Sequence, residues 1–296
     1  MKTIRTEDSR FEKLPGYDFE SHYVGIDGLR MHYVDEGPAD AAPVLLLHGE
    51  PSWSYLYRKM IPLIASAGSR VIAPDLIGFG KSDKPTAQAD YSYSGHVAWM
   101  REFIEALDLS DITLFCQDWG SLIGLRVAAE NPDRFARIAV GNGGMPTGDE
   151  EFPKAFKLWR AFARWSPWFP IGRIIQAGTV NELTKEEMAA YDAPFPSAKY
   201  KAGARAFPAL VPTEPDNVAS EDNRRAWEML SRFEKPFLTT FSNRDPVTRG
   251  GERPFQDRVP GAKTVDAVKI RNAGHFLQED KGEELAEVLI GFVGST

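Results

Sequence analysis

Leu114-Phe115-Cys116-Gln117-Asp118-Trp119-Gly120-Ser121 reads as an apolar, β-rich run that stops at an acidic residue and continues as a helix. A sharp strand-to-helix turn of this kind lifts one side chain, here Asp118, above the end of a sheet. The small residues beside it let the backbone turn without a clash. A serine at such a point needs a base to take its proton, whereas a carboxylate with a reference pKa of about 3.9 is already anionic at neutral pH. Asp118 is therefore a candidate nucleophile able to displace a leaving group from saturated carbon unaided. The alternative is structural, because Asp is also a favoured N-cap for a helix beginning at Trp119.

Two distant segments bear on that choice. Pro43-Val44-Leu45-Leu46-Leu47 reads as a buried strand running into His48-Gly49-Glu50-Pro51, a loop placed to offer a backbone N–H to an oxyanion. Downstream, the apolar-alternating stretch from Thr264 to Ile270 precedes Asn272-Ala273-Gly274-His275-Phe276, which puts His275 after the last expected strand, where a general base belongs. Between them, Pro236 to Phe241 reads as a strand followed by Ser242-Asn243-Arg244-Asp245-Pro246. Asp245 alone is an ordinary turn residue before proline. In the chain order Asp118, Asp245, His275 it becomes the carboxylate that orients the histidine.

Taken together, Glu50-Pro51-Ser52-Trp53-Ser54-Tyr55-Leu56-Tyr57-Arg58 after His48-Gly49, Gln117-Asp118-Trp119-Gly120, Asp245 and Ala273-Gly274-His275-Phe276 resemble the haloalkane dehalogenases over nearly the whole chain. The resemblance is closest to the subfamily with an Asp-His-Asp triad and two halide-binding tryptophans. In the other large subfamily an Asn follows His-Gly and the acid lies after strand six. This chain has Glu50 at the first place and Asn142 at the second, so Asp245 is the matching acid. The fold so implied is an α/β-hydrolase fold, a mostly parallel eight-stranded sheet flanked by helices, with an inserted helical cap.

Composition agrees. The chain has 296 residues, 43% of them hydrophobic, and a formal charge of −7, which argues against nucleic acid or an anionic membrane as partner and suits a small neutral substrate. Cys116 is the only cysteine, so no intramolecular disulfide forms, and its place in a strand reads as a small buried residue. Met1 to Glu20 is charged and lacks the apolar core of a secretory signal, and no run is long enough to span a bilayer, so a cytoplasmic monomer is expected.

Along the chain, Ser21 to Glu36 reads as a hairpin turning at Asp27-Gly28. A strand at 70–74, a helix at 94–107, a strand at 112–116 and a helix at 119–130 then keep a βαβ rhythm. Asp75-Leu76-Ile77-Gly78-Phe79-Gly80-Lys81-Ser82 lacks the spacing of a phosphate-binding loop, so nucleotide binding is rejected. From about Met145 to about Arg225 the rhythm gives way to aromatic-rich, proline-punctuated helices, which delimits a cap at 145–225 inserted in a core of 1–144 and 226–296.

A departing halide is a charge in a water-poor cavity, so donors must await it, and indole supplies an N–H and no acceptor. By the resemblance, Trp119 is the first halide ligand and Trp159, in Phe156-Lys157-Leu158-Trp159-Arg160, the second, with Trp165 and Trp168 as alternatives. Phe156 and the pair Phe195-Pro196 would wall the substrate site, their alternative being ordinary packing. The resemblance implies an ester formed on Asp118, hydrolysed by water that His275 deprotonates, with the backbone N–H groups of Glu50 and Trp119 as oxyanion hole. It calls for no metal or organic cofactor. Epoxide hydrolases share the triad and add two cap tyrosines as proton donors, for which Tyr191 and Tyr200 are the candidates here. A hydrolase fold retained only for binding is the remaining alternative.

Overall fold

The computed structural model describes residues 1–295. In chain order its strands are β1 (Thr3–Ile4), β2 (His22–Ile26), β3 (Leu29–Glu36), β4 (Pro43–Leu47), β5 (Arg70–Pro74), β6 (Lys84–Pro85), β7 (Ile112–Asp118), β8 (Phe135–Gly143), β9 (Phe237–Ser242) and β10 (Val268–Ile270). Eight of them form one sheet in the order β10-β9-β8-β7-β4-β5-β3-β2, while β1 and β6 pair separately. Within it β5, β4, β7, β8, β9 and β10 run parallel, and β3 joins antiparallel to β5 and to β2. All five residues of β4 are buried, as a strand covered on both faces requires.

The helices are α1 (Ile61–Ser66), α2 (Tyr93–Ala106), α3 (Trp119–Glu130), α4 (Lys154–Trp165), α5 (Ile171–Ala177), α6 (Lys185–Asp192), α7 (Ala202–Leu210), α8 (Ser220–Leu230), α9 (Arg253–Arg258) and α10 (Leu277–Gly294). Ser92 caps α2 by accepting from the Gly95 N–H at 3.0 Å, which sets its start. The β2–β3 hairpin turns through Asp27 and Gly28, both at positive φ (49° and 75°), the geometry that Asp-Gly favours.

Two strands differ in length from expectation. β7 runs on to Asp118, because its register with β8 continues to the pair Asp118↔Gly143 across a shift after Gln117. The alternating stretch at 264–270 yields only the three residues of β10, preceded by a 3-10 turn at Pro260–Lys263. As the outermost strand it pairs with β9 alone, and the ladder Val268↔Thr240, Lys269↔Phe241, Ile270↔Ser242 bounds its length.

Between β8 and β9 the chain leaves the sheet. There α4 packs against α7 and α5 against α6, whereas α8 packs against α3 of the sheet layer. The range 145–225 expected for the cap thus takes in α4 to α7 and the first half of α8, a helix that packs on the sheet layer.

Candidate active site

Asp118 stands between β7 and α3 with φ 51° and ψ −126°, a region where a side chain is strained and glycine is not. Neighbouring glycines make the turn passable. A Cβ on Gly120 would lie 2.1 Å from the Leu47 carbonyl oxygen, and one on Gly49 would lie 2.2 Å from Asp118 Oδ1. Ser121 Oγ donates to the Asp118 carbonyl at 2.6 Å and accepts from the Gly144 N–H at 2.8 Å, tying the elbow to the end of β8. The carboxylate does not cap α3. Its Oδ1 instead accepts the Glu50 backbone N–H at 2.7 Å.

His275 lies across from the other oxygen, with Nε2 3.5 Å from Asp118 Oδ2 and Nδ1 2.9 Å from Asp245 Oδ2. Asp245 also accepts the Val247 N–H at 2.7 Å and the Thr248 hydroxyl. Burial pushes its pKa up, but the His275 charge and these hydrogen bonds outweigh burial and hold it below the usual carboxylate range. For His275 the same contest raises the pKa to about 10: burial disfavours the cation, and the charges of Asp245 and Asp118 with their hydrogen bonds more than restore it. Asn142, on β8, donates from Nδ2 to Ser242 Oγ and to the carbonyls of Gly274 and His275 at 2.8–2.9 Å, while its Oδ1 accepts the Ser242 N–H at 2.8 Å. An amide at that place holds the histidine loop rather than the ring.

The peptide between Gly49 and Glu50 is held from both ends. Its N–H points at Asp118, and its carbonyl oxygen accepts from His48 Nδ1 at 2.9 Å, Ser52 Oγ at 2.9 Å and the Ser52 N–H at 3.0 Å. The Leu76 N–H donates to His48 Nε2 at 3.0 Å, which leaves the ring proton on Nδ1 and defines the tautomer. Of the two backbone donors expected at the oxyanion, the Glu50 N–H is engaged here and the Trp119 N–H makes no hydrogen bond to the carboxylate. The Glu50 side chain is buried beside the nucleophile. Burial first and the Asp118 charge second push its pKa well up, against the opposing pull of His275 and the Trp159 indole. Its Oε1 has no protein partner.

Above these groups lies a cavity of about 1360 Å³ with Glu50, Asp118, Trp119 and His275 at its base and Phe156, Trp159 and Phe162 of α4 in its wall. Trp119 is wedged edge-on between Tyr93 (5.3 Å) and Phe207 (4.5 Å). Trp159 stacks on Phe162 (5.8 Å) and Phe169 (5.6 Å). Of its alternatives, Trp165 is exposed and outside the lining, and Trp168 is exposed at the rim.

The pair Phe195-Pro196 is not brought to the cavity. Phe195 turns its edge to Phe79 in the core and Pro196 is exposed. Pro208 and Val211 of the α7 region, with Leu122, Phe152, Val247 and Phe276, line it instead. Phe276 was signalled by its place after His275, whereas Pro208 sits in an ordinary helical pattern. Tyr191 is buried with its hydroxyl donating to Glu279 Oε2 at 2.5 Å, and neither it nor Tyr200 lines the cavity.

A family profile described as the alpha/beta hydrolase fold matches residues 42–282. A haloalkane dehalogenase of Psychrobacter cryohalolentis is 57% identical over 99% of this chain and 98% of its own length. One of Mycobacterium marinum is 56% identical over 99% of this chain and 100% of its own. Among solved structures, haloalkane dehalogenase DpaA of Paraglaciecola agarilytica NO2, described as tetrameric, superposes with a TM-score of 0.89 at 38% identity and 97% coverage of each chain. Likeness in sequence and in fold extends over almost every residue, and the chain belongs to the haloalkane dehalogenase family, hydrolases that act on carbon–halide bonds.

Proposed function

We propose that the chain turns haloalkanes into alcohols in two steps centred on Asp118. In the first, Asp118 Oδ2 attacks the halogen-bearing carbon from behind, forming a C–O bond as the C–X bond breaks, and the halide leaves with the bonding electrons toward the indole N–H groups of Trp119 and Trp159. In the second, water adds to the ester carbonyl and gives a proton to His275 Nε2. The tetrahedral centre collapses by breaking the bond between the Asp118 acyl carbon and Oδ2, so the alcohol departs carrying Oδ2 and a proton returned from His275, while the oxygen from water stays on Asp118 and the new carboxyl gives its proton back to His275. One proton per turnover leaves with the halide.

The single observation carrying this reading is the pair of distances at Asp118, with Oδ1 held by the Glu50 N–H at 2.7 Å and Oδ2 open to the cavity 3.5 Å from His275 Nε2. Oδ1 is thereby the oxygen that becomes the ester carbonyl and later the oxyanion, already on its donor. The electrostatics give the order of events. While Asp118 is ionised, His275 is held protonated, with its pKa raised to about 10, and is no base. Alkylation converts Asp118 to a neutral ester, removes one of the two charges that raise the histidine, and so lets its proton leave before water attacks the ester.

By the same reading residues 145–225 act as the cap, all triad members come from one chain so that a monomer is a complete unit, and the enzyme works in the cytoplasm. Incubating the purified chain with 1-bromobutane and with styrene oxide tests the scheme. Bromide release without diol, abolished in Asp118→Ala, is expected. Diol formation, or bromide release that survives Asp118→Ala, contradicts it.

A further inference from the structure

The charge of −7 is unevenly spread. Residues 152–181 contain five basic residues, Lys154, Lys157, Arg160, Arg164 and Arg173, and no acidic one, the acids stopping at Glu151 and resuming at Glu182. Arg160 turns inward to Thr213 Oγ1. Lys154, Lys157, Arg164 and Arg173 are exposed and have no carboxylate partner among the described residues.

The same segment is apolar on the side facing water. Phe156, Trp159 and Ala163 of α4 turn toward the cavity and core, yet Leu158, Ala161, Phe162 and Trp165, spaced i, i+3, i+4, i+7, form a second stripe on the outside. Leu158 is 72% exposed, Trp165 73%, Trp168 60% and Phe162 36%. A surface helix with its polar face to water has no reason to carry such a stripe. Arg164 lies 4.8 Å from the Trp165 ring centroid and Arg173 5.6 Å from that of Trp168, so each exposed indole is paired with a cation. Phe162 and Trp168 also line the cavity, so the outer stripe is continuous with its mouth.

We propose that this face of α4 and the turn after it docks on an anionic lipid surface, with Leu158, Trp165 and Trp168 in the boundary between headgroups and acyl chains and the four exposed cations against the headgroups. Tryptophan beside leucine and phenylalanine, flanked by Lys and Arg, is the composition of a helix that lies in a membrane interface. Among the described residues no helix is long and apolar enough to cross a membrane, so the contact is peripheral. A second copy of the chain is the poorer occupant, since a two-fold contact through this face sets two basic patches against each other. The placement has a chemical consequence. Haloalkanes dissolve in hydrocarbon far better than in water, and a cavity that opens at the lipid boundary takes them from where they are concentrated.

The test mixes the full chain with phosphatidylcholine vesicles containing or lacking phosphatidylglycerol and reads co-sedimentation and tryptophan emission. Binding to the anionic vesicles, reversed by high salt and accompanied by a blue shift, is expected. Leu158→Ser/Trp165→Ser and Lys154→Glu/Lys157→Glu should each weaken it about tenfold or more. Both variants should keep wild-type melting and wild-type bromide release from dissolved 1-bromobutane, which excludes misfolding. A chain that stays in the supernatant, or whose binding neither variant weakens, overturns the proposal. So does a dimer in sedimentation equilibrium that Leu158→Ser/Trp165→Ser dissociates, which would assign the face to a second copy.

Discussion

Asp118 keeps its backbone at φ 51° and ψ −126° although a Cβ disfavours that region. Replacing it by Gly and by Ala separates strain from chemistry. Both variants should release no halide, and Asp118→Gly should be the more stable by about 1 kcal/mol in denaturant unfolding, because only glycine relaxes at that φ. Equal stability would mean that the elbow stores no strain. In the proposed scheme His275 is the residue whose role changes during the reaction. Since a carboxylate needs no activation, His275→Phe should complete the first displacement and stop. Mass spectrometry after 1-bromobutane should find one butyl group on the peptide containing Asp118, with a single-turnover burst of bromide. A folded variant showing neither would place His275 in the first step. At this scale the sequence was largely legible, since Asp118, Asp245 and His275 follow one another in the order their chemistry needs. What it left open was which of two sound uses of Asp118 applied, and the hydrogen bond from Glu50 with no cap bond to α3 favours the nucleophile.

One element, the loop after β4, delivers its peptide N–H to Asp118 only because the carbonyl on the same peptide is held by three donors. Those bonds fix the peptide plane and draw electron density from the N–H, making it a better donor. Ser52→Ala removes one of them. Its hydrolytic step should slow by about tenfold with KM little changed, by comparison with the roughly 10²-fold cost of losing an oxyanion donor outright. Pre-steady-state separation of bromide release from alcohol release checks this, and an unchanged hydrolytic rate would show the peptide to be rigid without Ser52. The cap helix α4 delivers Trp159. Trp159→Phe keeps most of the volume and removes the N–H, so saturable quenching of indole fluorescence by bromide should weaken together with the rate of carbon–halogen cleavage, by up to about 10²-fold. If Trp168→Phe has that effect and Trp159→Phe does not, the rim indole is the ligand. Strand and helix ends were readable where a local signal marked them, as Ser92 marks α2. They were misjudged at β10, whose length its single neighbour sets.

Across the whole molecule, the helical insertion between β8 and β9, the segment after β4 and the C-terminal helix meet at one buried carboxylate. Glu279 on α10 accepts two bonds from Arg58 at 2.6 and 2.7 Å and one from Tyr191 of α6, while Arg58 also reaches Glu187 of α6 at 2.8 Å. Burial pushes the Glu279 pKa up, but the Arg58 bonds and charge, with Lys59 and Tyr191, outweigh it and lower it to about 2. A carboxylate whose folded pKa is depressed contributes stability above its unfolded pKa and loses that contribution as pH falls through the folded one. Glu279→Gln should therefore destabilise the chain at pH 7 by about 3 kcal/mol, since Arg58 is left buried without its main partner. The gap to wild type should narrow as pH falls from about 4.5 toward 2. A gap independent of pH over that range would mean lost packing rather than lost charge. A second tether, the Asp280 carboxylate accepting the N–H groups of Val180, Asn181 and Gly274 at 2.7–2.9 Å, binds the turn after α5 to the loop that carries His275.

From sequence alone came the residues whose chemistry is intrinsic: a carboxylate at a strand-to-helix turn, a histidine after the last strand, an acid between them, and the alternation of apolar runs that builds a parallel sheet. These are legible because short-range pattern and chain order carry them. Tertiary structure decided what depends on neighbours distant in the chain. Phe195 faces the core and Pro208 the cavity, Trp159 reaches Glu50 while Trp165 faces water, and Tyr191 is spent on Glu279. The pKa shifts of Glu50 and His275 belong here too, since desolvation and the field of Asp118 exist only once separate segments have packed together.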